Sequence, residues 1–544
     1  MNKMDGKKEK KDWLVMVYLA GGRDVSDEAL ESLLRMKHVG STKNVHLIAQ
    51  FDSGSEGTFT KRYQLQPLKN ALDIATLLVQ ACIEAPDSSI SSDYTLATYY
   101  FERLMNTLPE EQRKEFQSKH QAKEMIELLK NYPYGFKNLI LDFLLDFDLD
   151  VPEGNIGDTD AGDPKVLIEF VLWAMDNYPS DHTLVIIWGH GSGLSVAWDF
   201  PAPQSLVPPD SLTVMDLSEA FKGIDAFRMK KIDIVGFNSC SLGTIEVYRE
   251  LEEFVTYGVA SEGFTPKSSW PYENILKILN NNPEISPRAF ASKIVDEYIK
   301  YYQEPVKAAE KRQDLLRQIG IRGMNAGLDL NKGPALSKGP GLSKGPGLSK
   351  GPGLSKGPGL SKGPGLDLLG ESEIRGIDLS VCELGKSEGV EAGMAYLVGL
   401  LRYRLELKPD KPFDYNLFGA VLGAHAFSQS YFNKDFTDLQ DFCRTLQSMS
   451  SDKEIQNACG QVMNAIKEMV IKKDHVGEDV RNSNGVSIFF PWDDWGRDDV
   501  LRKYKGLRFL DSTNWHIFLK NYRGLVNQLL LKTGPFAVAL SQSA

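Results

Sequence analysis

TLVIIWGHGSG (183–193) and KIDIVGFNSCSLG (231–243) are two apolar runs that each end on a reactive side chain, His190 in the first and Cys240 in the second. A short, unbroken apolar run with no polar alternation predicts a strand buried on both faces, as in a parallel sheet. WLVMVYLA (13–20) and VHLIAQF (45–51) have the same character. The segments Ser26 to His38 and Pro164 to Asn177, which carry helical apolar spacing, lie among these strands. Strands that alternate with amphipathic helices predict an α/β fold, a mostly parallel sheet with helices on both faces. Such sheets form crevices at the carboxyl edge of their strands, which is where His190 and Cys240 fall.

Each residue has an ordinary reading when taken alone. A cysteine after an apolar strand packs as a small hydrophobe, and a histidine among glycines caps a turn. Together, at the ends of two strands about fifty residues apart, they form a nucleophile and a base. Histidine can take the thiol proton and later return it to a leaving amine. Gly191 allows close approach of a substrate, and the Gly191 and Cys240 amides are candidate oxyanion donors.

Composition narrows the remaining classes. The chain has 544 residues, 42% hydrophobic and 25% charged, with a formal net charge of −11. That balance fits a soluble globular protein and opposes a nucleic-acid footprint, which needs clustered positive charge. The five cysteines (82, 240, 382, 443 and 459) show no disulfide or metal spacing, so a reducing, cytoplasmic setting is expected, with secretion left open. The run Trp13 to Ala20 after the early lysines is too short and too interrupted for a signal peptide, and no run reaches the length of a membrane span. No cofactor is expected. The acidic stretch 146–163 superficially suggests a calcium loop, but Val151 and Gly157 stand where glycine and glutamate would be needed. Calcium thus has no ligand motif, and Asp163-Pro164 reads as a helix cap followed by proline at the first helical position.

Two segments interrupt the globular pattern. Residues 85–150 are polar and helix-rich and read as a helical insertion. From Leu336 the chain carries five perfect copies of LSKGPG, in which proline removes a donor and glycine raises the entropy of ordering. That composition predicts a tether. The expected organisation is a catalytic region over 1–325, a repeat linker over 326–369 and the C-terminal part of the same catalytic region over 370–544.

The chain resembles the clostripain-like cysteine peptidases (family C11), in the clan that includes caspases, legumain and gingipains. The matching stretches are DWLVMVYLAGG (12–22), FDSG with TKRY (51–63), the run from GNIGD to HGSG (154–193), DIVGFNSCSLGTIEVYREL (233–251), VASEGFTPKSSWPYENILKIL (259–279), GIDLS (376–380), NGVSIFFP (484–491) and TNWHIFL (513–519). The resemblance implies a caspase-like fold and peptide hydrolysis through a thioester acyl-enzyme. His190 and Cys240 fall on the family's catalytic pair, and Gly191 on its oxyanion donor.

Two departures qualify what the resemblance implies. Clostripain-like enzymes carry aspartate two positions before the cysteine, where it attracts Arg or Lys at P1, the substrate residue on the acyl side of the cut. This chain has Asn238 there, so a changed P1 preference is expected, unless Glu262 of the Ser261–Glu262 pair supplies the charge. Relatives also mature by cutting after a basic residue between histidine and cysteine. Here no Lys or Arg occurs from Gly191 to Phe221. The expected partners are a protein or peptide substrate and a regulatory protein, with no nucleic acid and no membrane. The competing functions are a caspase-like interaction protein with weak turnover and a Cys-dependent amidase or acyltransferase.

Overall fold

The computed structural model describes residues 9–52, 60–67, 156–157, 159–199, 210–266, 269–325, 376–407, 412–431, 434–492 and 504–528. The helical insertion expected over 85–150 and the repeat segment expected over 326–369 lie outside the described residues.

Eight strands form the central sheet: β1 (Lys11–Ala20), β2 (Val45–Asp52), β3 (Lys61–Gln64), β4 (Ser180–Trp188), β7 (Ile232–Asn238), β8 (Val255–Ala260), β9 (Ile377–Glu383) and β12 (Val470–Val476). Their spatial order is β12-β9-β8-β7-β4-β1-β2-β3. The five inner strands from β8 to β2 run parallel, while β3, β9 and β12 pair antiparallel at the two edges. Two smaller sheets pair β5 (Ser195–Asp199) with β6 (Asp210–Thr213), and β10 (Ser430–Tyr431) with β11 (Phe436–Asp438) and β13 (Ser487–Phe489).

The continuous apolar runs are explained by two cores, one on each sheet face. Along β1, Leu14, Met16, Tyr18 and Ala20 enter one core, while Trp13, Val15, Val17 and Leu19 enter the other. A strand with both faces buried has no polar side to display. The helix Pro164–Asn177 covers the first face with Leu167, Phe170, Val171 and Ala174. It begins as its sequence predicts, with the Asp163 carboxylate accepting from Lys165 N at 2.9 Å and proline at the first position. The second face is covered by the helix Tyr272–Asn281, through Tyr272, Ile275 and Leu276, and by the start of the helix Pro287–Asn325, through Phe290, Ile294, Tyr298 and Tyr302.

The strands at 377–383 and 470–476 join the same sheet as β4 and β7. Residues on both sides of the repeat segment therefore build one sheet and line both of its cores. Within the first core, Trp515 Nε1 donates to the Phe489 carbonyl at 2.8 Å, and His425 stacks between Phe490 and Trp492. Among the described residues, no helix is long and apolar enough to cross a membrane.

Candidate active site

β4 and β7 are adjacent and parallel, with Trp188 opposite Asn238. Gly189 N still donates to the Asn238 carbonyl at 3.4 Å as the strands part. His190 and Cys240 each stand two residues beyond the Trp188–Asn238 pair, at the carboxyl edge of the sheet. The chain packs closely there. A Cβ at Gly191 would lie 2.4 Å from the Cys240 carbonyl oxygen and 2.5 Å from Leu242 Cδ2, so only glycine permits this approach. The His190 carbonyl accepts from Ala197 N at 3.1 Å, which folds the segment after the histidine back on itself.

Cys240 sits on a sharp turn. Ser241, the next residue, has a φ of 59°, a left-handed conformation that costs a non-glycine residue roughly 1–3 kcal/mol. The surroundings hold it there: Ser241 N donates to the Gly263 carbonyl at 2.8 Å and Gly243 N to the Ser261 carbonyl at 2.9 Å. Thr244 then caps the helix Ile245–Leu251 by accepting from Val247 N at 3.2 Å. Ser487 N, at the start of β13, donates to the Gly243 carbonyl at 2.9 Å and so ties the turn to the C-terminal part of the chain.

The sulfur has its own donor. Thr265 N donates to Cys240 Sγ at 3.4 Å, and the Thr265 hydroxyl donates to the Ser239 carbonyl at 3.0 Å. Burial pushes the Cys240 thiol up to about 11, the Thr265 amide pulls it back, and the Asp378 charge adds to the rise. The residue keeps part of its surface open to solvent, which moderates this burial effect. Burial and the nearby Asp378 carboxylate both favour the protonated thiol.

The side chains of the remaining candidates are taken up by partners inside the protein. Asn238 is buried at 4% exposure, with its amide donating to the Ser269 hydroxyl and to Tyr272 OH, the latter at 2.8 Å. Trp188 Nε1 donates to the same serine oxygen at 2.9 Å. Ser261 and Glu262 are fully buried. The Ser261 hydroxyl donates to Asp378 at 3.0 Å, and Glu262 Oε2 accepts from Gly485 N at 2.6 Å. Burial and the nearby Asp438 and Asp378 carboxylates push Glu262 well above the ordinary carboxylate range. Among the described residues, no group of three or more His, Cys, Asp or Glu could hold a metal ion.

Sequence reasoning missed Thr265, Ser269 and Asp378. Asp378 had a visible signal, an acid inside the apolar run GIDLS. Nothing local marks Thr265, whose contribution is a backbone amide brought in by the loop after β8.

The clostripain family model matches residues 146–315, which include both strand ends. No curated protein sequence matches the chain. Three solved structures are similar at low identity. A secreted C11 cysteine protease from Bacteroides thetaiotaomicron, bound to an irreversible peptide inhibitor, is 15% identical over 93% of this chain and 99% of that one, with a TM-score of 0.47. An inactive zymogen C11 protease from Parabacteroides distasonis is 12% identical over 93% and 99%, with a TM-score of 0.48. The Bacteroides thetaiotaomicron protease iotapain is 10% identical over 93% and 100%, with a TM-score of 0.49. Two of the three are described as secreted. Residues 146–315, which carry a histidine and a cysteine at the ends of adjacent parallel strands, match the clostripain family of cysteine-type peptidases.

Proposed function

We propose that the chain is an endopeptidase in which His190 deprotonates Cys240 and the thiolate attacks a peptide carbonyl. The observation that carries this reading is the β4–β7 register, which pairs Trp188 with Asn238 two residues before His190 and Cys240, together with the packing of Gly191 against the Cys240 backbone. Attack forms a C–S bond and a tetrahedral oxyanion, for which the Gly191 and Cys240 amides are the proposed donors. Collapse breaks the C–N bond as imidazolium returns the proton to the departing amine. Water, deprotonated by His190, then cleaves the thioester.

A P1 preference other than Arg or Lys accompanies this reading. Asn238 brings no charge, and its amide hydrogens are taken up by Ser269 and Tyr272. Glu262 is the acid that could have replaced the missing carboxylate, but it is enclosed and turned toward Gly485. A cationic side chain would therefore enter a pocket without a charge-assisted partner from either residue. Regulation by a partner protein belongs to the same proposal and is supported by the base-free stretch from Gly191 to Phe221.

Profiling a diverse peptide library with wild-type protein and with folded Cys240→Ala tests both parts. Hydrolysis is expected only from the wild type, at residues other than Arg or Lys. Turnover by pure Cys240→Ala would remove the nucleophile assignment, and a strict basic P1 would remove the reading of Asn238.

A further inference from the structure

We propose that Asp378 is a positioning residue for the catalytic thiol, a carboxylate from beyond the repeat segment that holds the 261–265 loop against Cys240. The proposal rests on Cys240 as nucleophile and deepens that reading. β8 and β9 are antiparallel with Ala260 opposite Ser380. Two residues past Ala260, the chain leaves the strand beside Asp378. There one carboxylate gathers three donors from consecutive residues: Asp378 Oδ1 accepts the Ser261 hydroxyl at 3.0 Å and Gly263 N at 2.9 Å, and Oδ2 accepts Glu262 N at 2.7 Å. The group is 2% exposed, so water cannot substitute for it without rearrangement. A Cβ at Gly263 would stand 2.9 Å from Asp378 Oδ1.

The loop that Asp378 gathers grips Cys240 on both sides. Its Gly263 and Ser261 carbonyls hold Ser241 N and Gly243 N on the far side of the nucleophile. Thr265 holds the Ser239 carbonyl on the near side and donates its amide to Sγ. Each link is a hydrogen bond between buried or half-buried groups, so the sulfur and its donor share one rigid frame with a carboxylate that does not touch it. Asp378 lies past the family match, which ends at residue 315.

The test compares wild type, Asp378→Asn and Glu246→Gln. The second variant alters a carboxylate that is also buried and holds Phe489 N and Tyr504 OH but none of the loop. Two readouts are taken: kcat and KM on a peptide selected by the library profile, and the rate of Cys240 alkylation by iodoacetamide at neutral pH, read by mass spectrometry. Asparagine turns an NH2 group toward one of the loop donors. In that variant we expect kcat to fall about tenfold or more with KM within about threefold, and alkylation to slow by about threefold or more. Glu246→Gln should leave kcat and alkylation within about twofold of wild type. If Asp378→Asn does not fold, Ser261→Ala removes one of the three bonds and should slow alkylation, and Ser261→Thr should recover it. Wild-type kcat and alkylation in folded Asp378→Asn, or unchanged alkylation in Ser261→Ala, would overturn the proposal and leave the peptidase reading intact. A wild type that hydrolyses nothing would instead overturn the peptidase reading, while the alkylation comparison still decides the role of Asp378.

Discussion

Replacing Gly191 by alanine should nearly abolish turnover while leaving most of the fold in place. The added Cβ would sit 2.4 Å from the Cys240 carbonyl oxygen, 2.5 Å from Leu242 Cδ2 and 3.0 Å from Ser239 Cβ, where ordinary contact begins at 3.4 Å. The first neighbour is backbone, and it belongs to the turn held by the Ser241 and Gly243 amides. Relief therefore requires the end of β4 and the nucleophile turn to part by about 1 Å. Overpacking of this kind costs roughly 1–3 kcal/mol of stability. The kinetic effect should be larger, because a displacement of about 1 Å between reacting groups costs about 100-fold in rate. The assay pairs kcat/KM on the best library peptide with a thermal melt, and Gly385→Ala serves as the reference. Gly385 has no atom within 4 Å of its would-be Cβ, so alanine there should leave kcat/KM unchanged. A Gly191→Ala enzyme with kcat/KM within about threefold of wild type would show that His190 and Cys240 do not meet across this contact.

Two further predictions concern buried titratable groups that hold the C-terminal part of the chain. Burial raises the Glu246 carboxyl from 4.5 to about 7, opposed by its bonds from Phe489 N and Tyr504 OH. The folded protein therefore binds this proton more tightly than the unfolded chain, so stability should fall as pH rises from about 4.5 to about 7. Glu246→Gln, which keeps an acceptor, should flatten that fall by about 1–3 kcal/mol in denaturant melts, and an unchanged slope would refute the assignment. His425 is pushed the other way, down to about 3 by burial between Phe490 and Trp492. Here the unfolded chain takes up the proton first, so stability is complete above about 6.5 and is lost as pH falls below it. The slope should approach about 1.4 kcal/mol per pH unit and be reduced in His425→Phe; equal slopes in the two proteins would refute it.

The sheet could be read from the chain because its signals are local. An unbroken apolar run can only be a strand with both faces covered, and the two cores on either side of β1 supply those covers. The strand-end placement of His190 and Cys240 was readable because parallel strands present their ends at one edge. The cap at Asp163-Pro164 follows from the geometry of two residues. The two antiparallel strands that extend the sheet beyond β8 were not readable as such, since edge pairing depends on which segments meet after a long interruption. Nor was the burial of Asn238, Ser261 and Glu262. In a linear sequence a polar residue near a cysteine suggests a pocket wall, yet here Ser269, Tyr272, Asp378 and Gly485 take up those groups inside the protein. By itself, then, the sequence determined the buried strands and that His190 and Cys240 stand at their ends, because periodicity is carried by neighbours in the chain. Only the tertiary structure decided how the thiol is held. Its donor and that donor's carboxylate support come from residues 25 and 138 positions away from Cys240, and a hydrogen bond depends on distance in space.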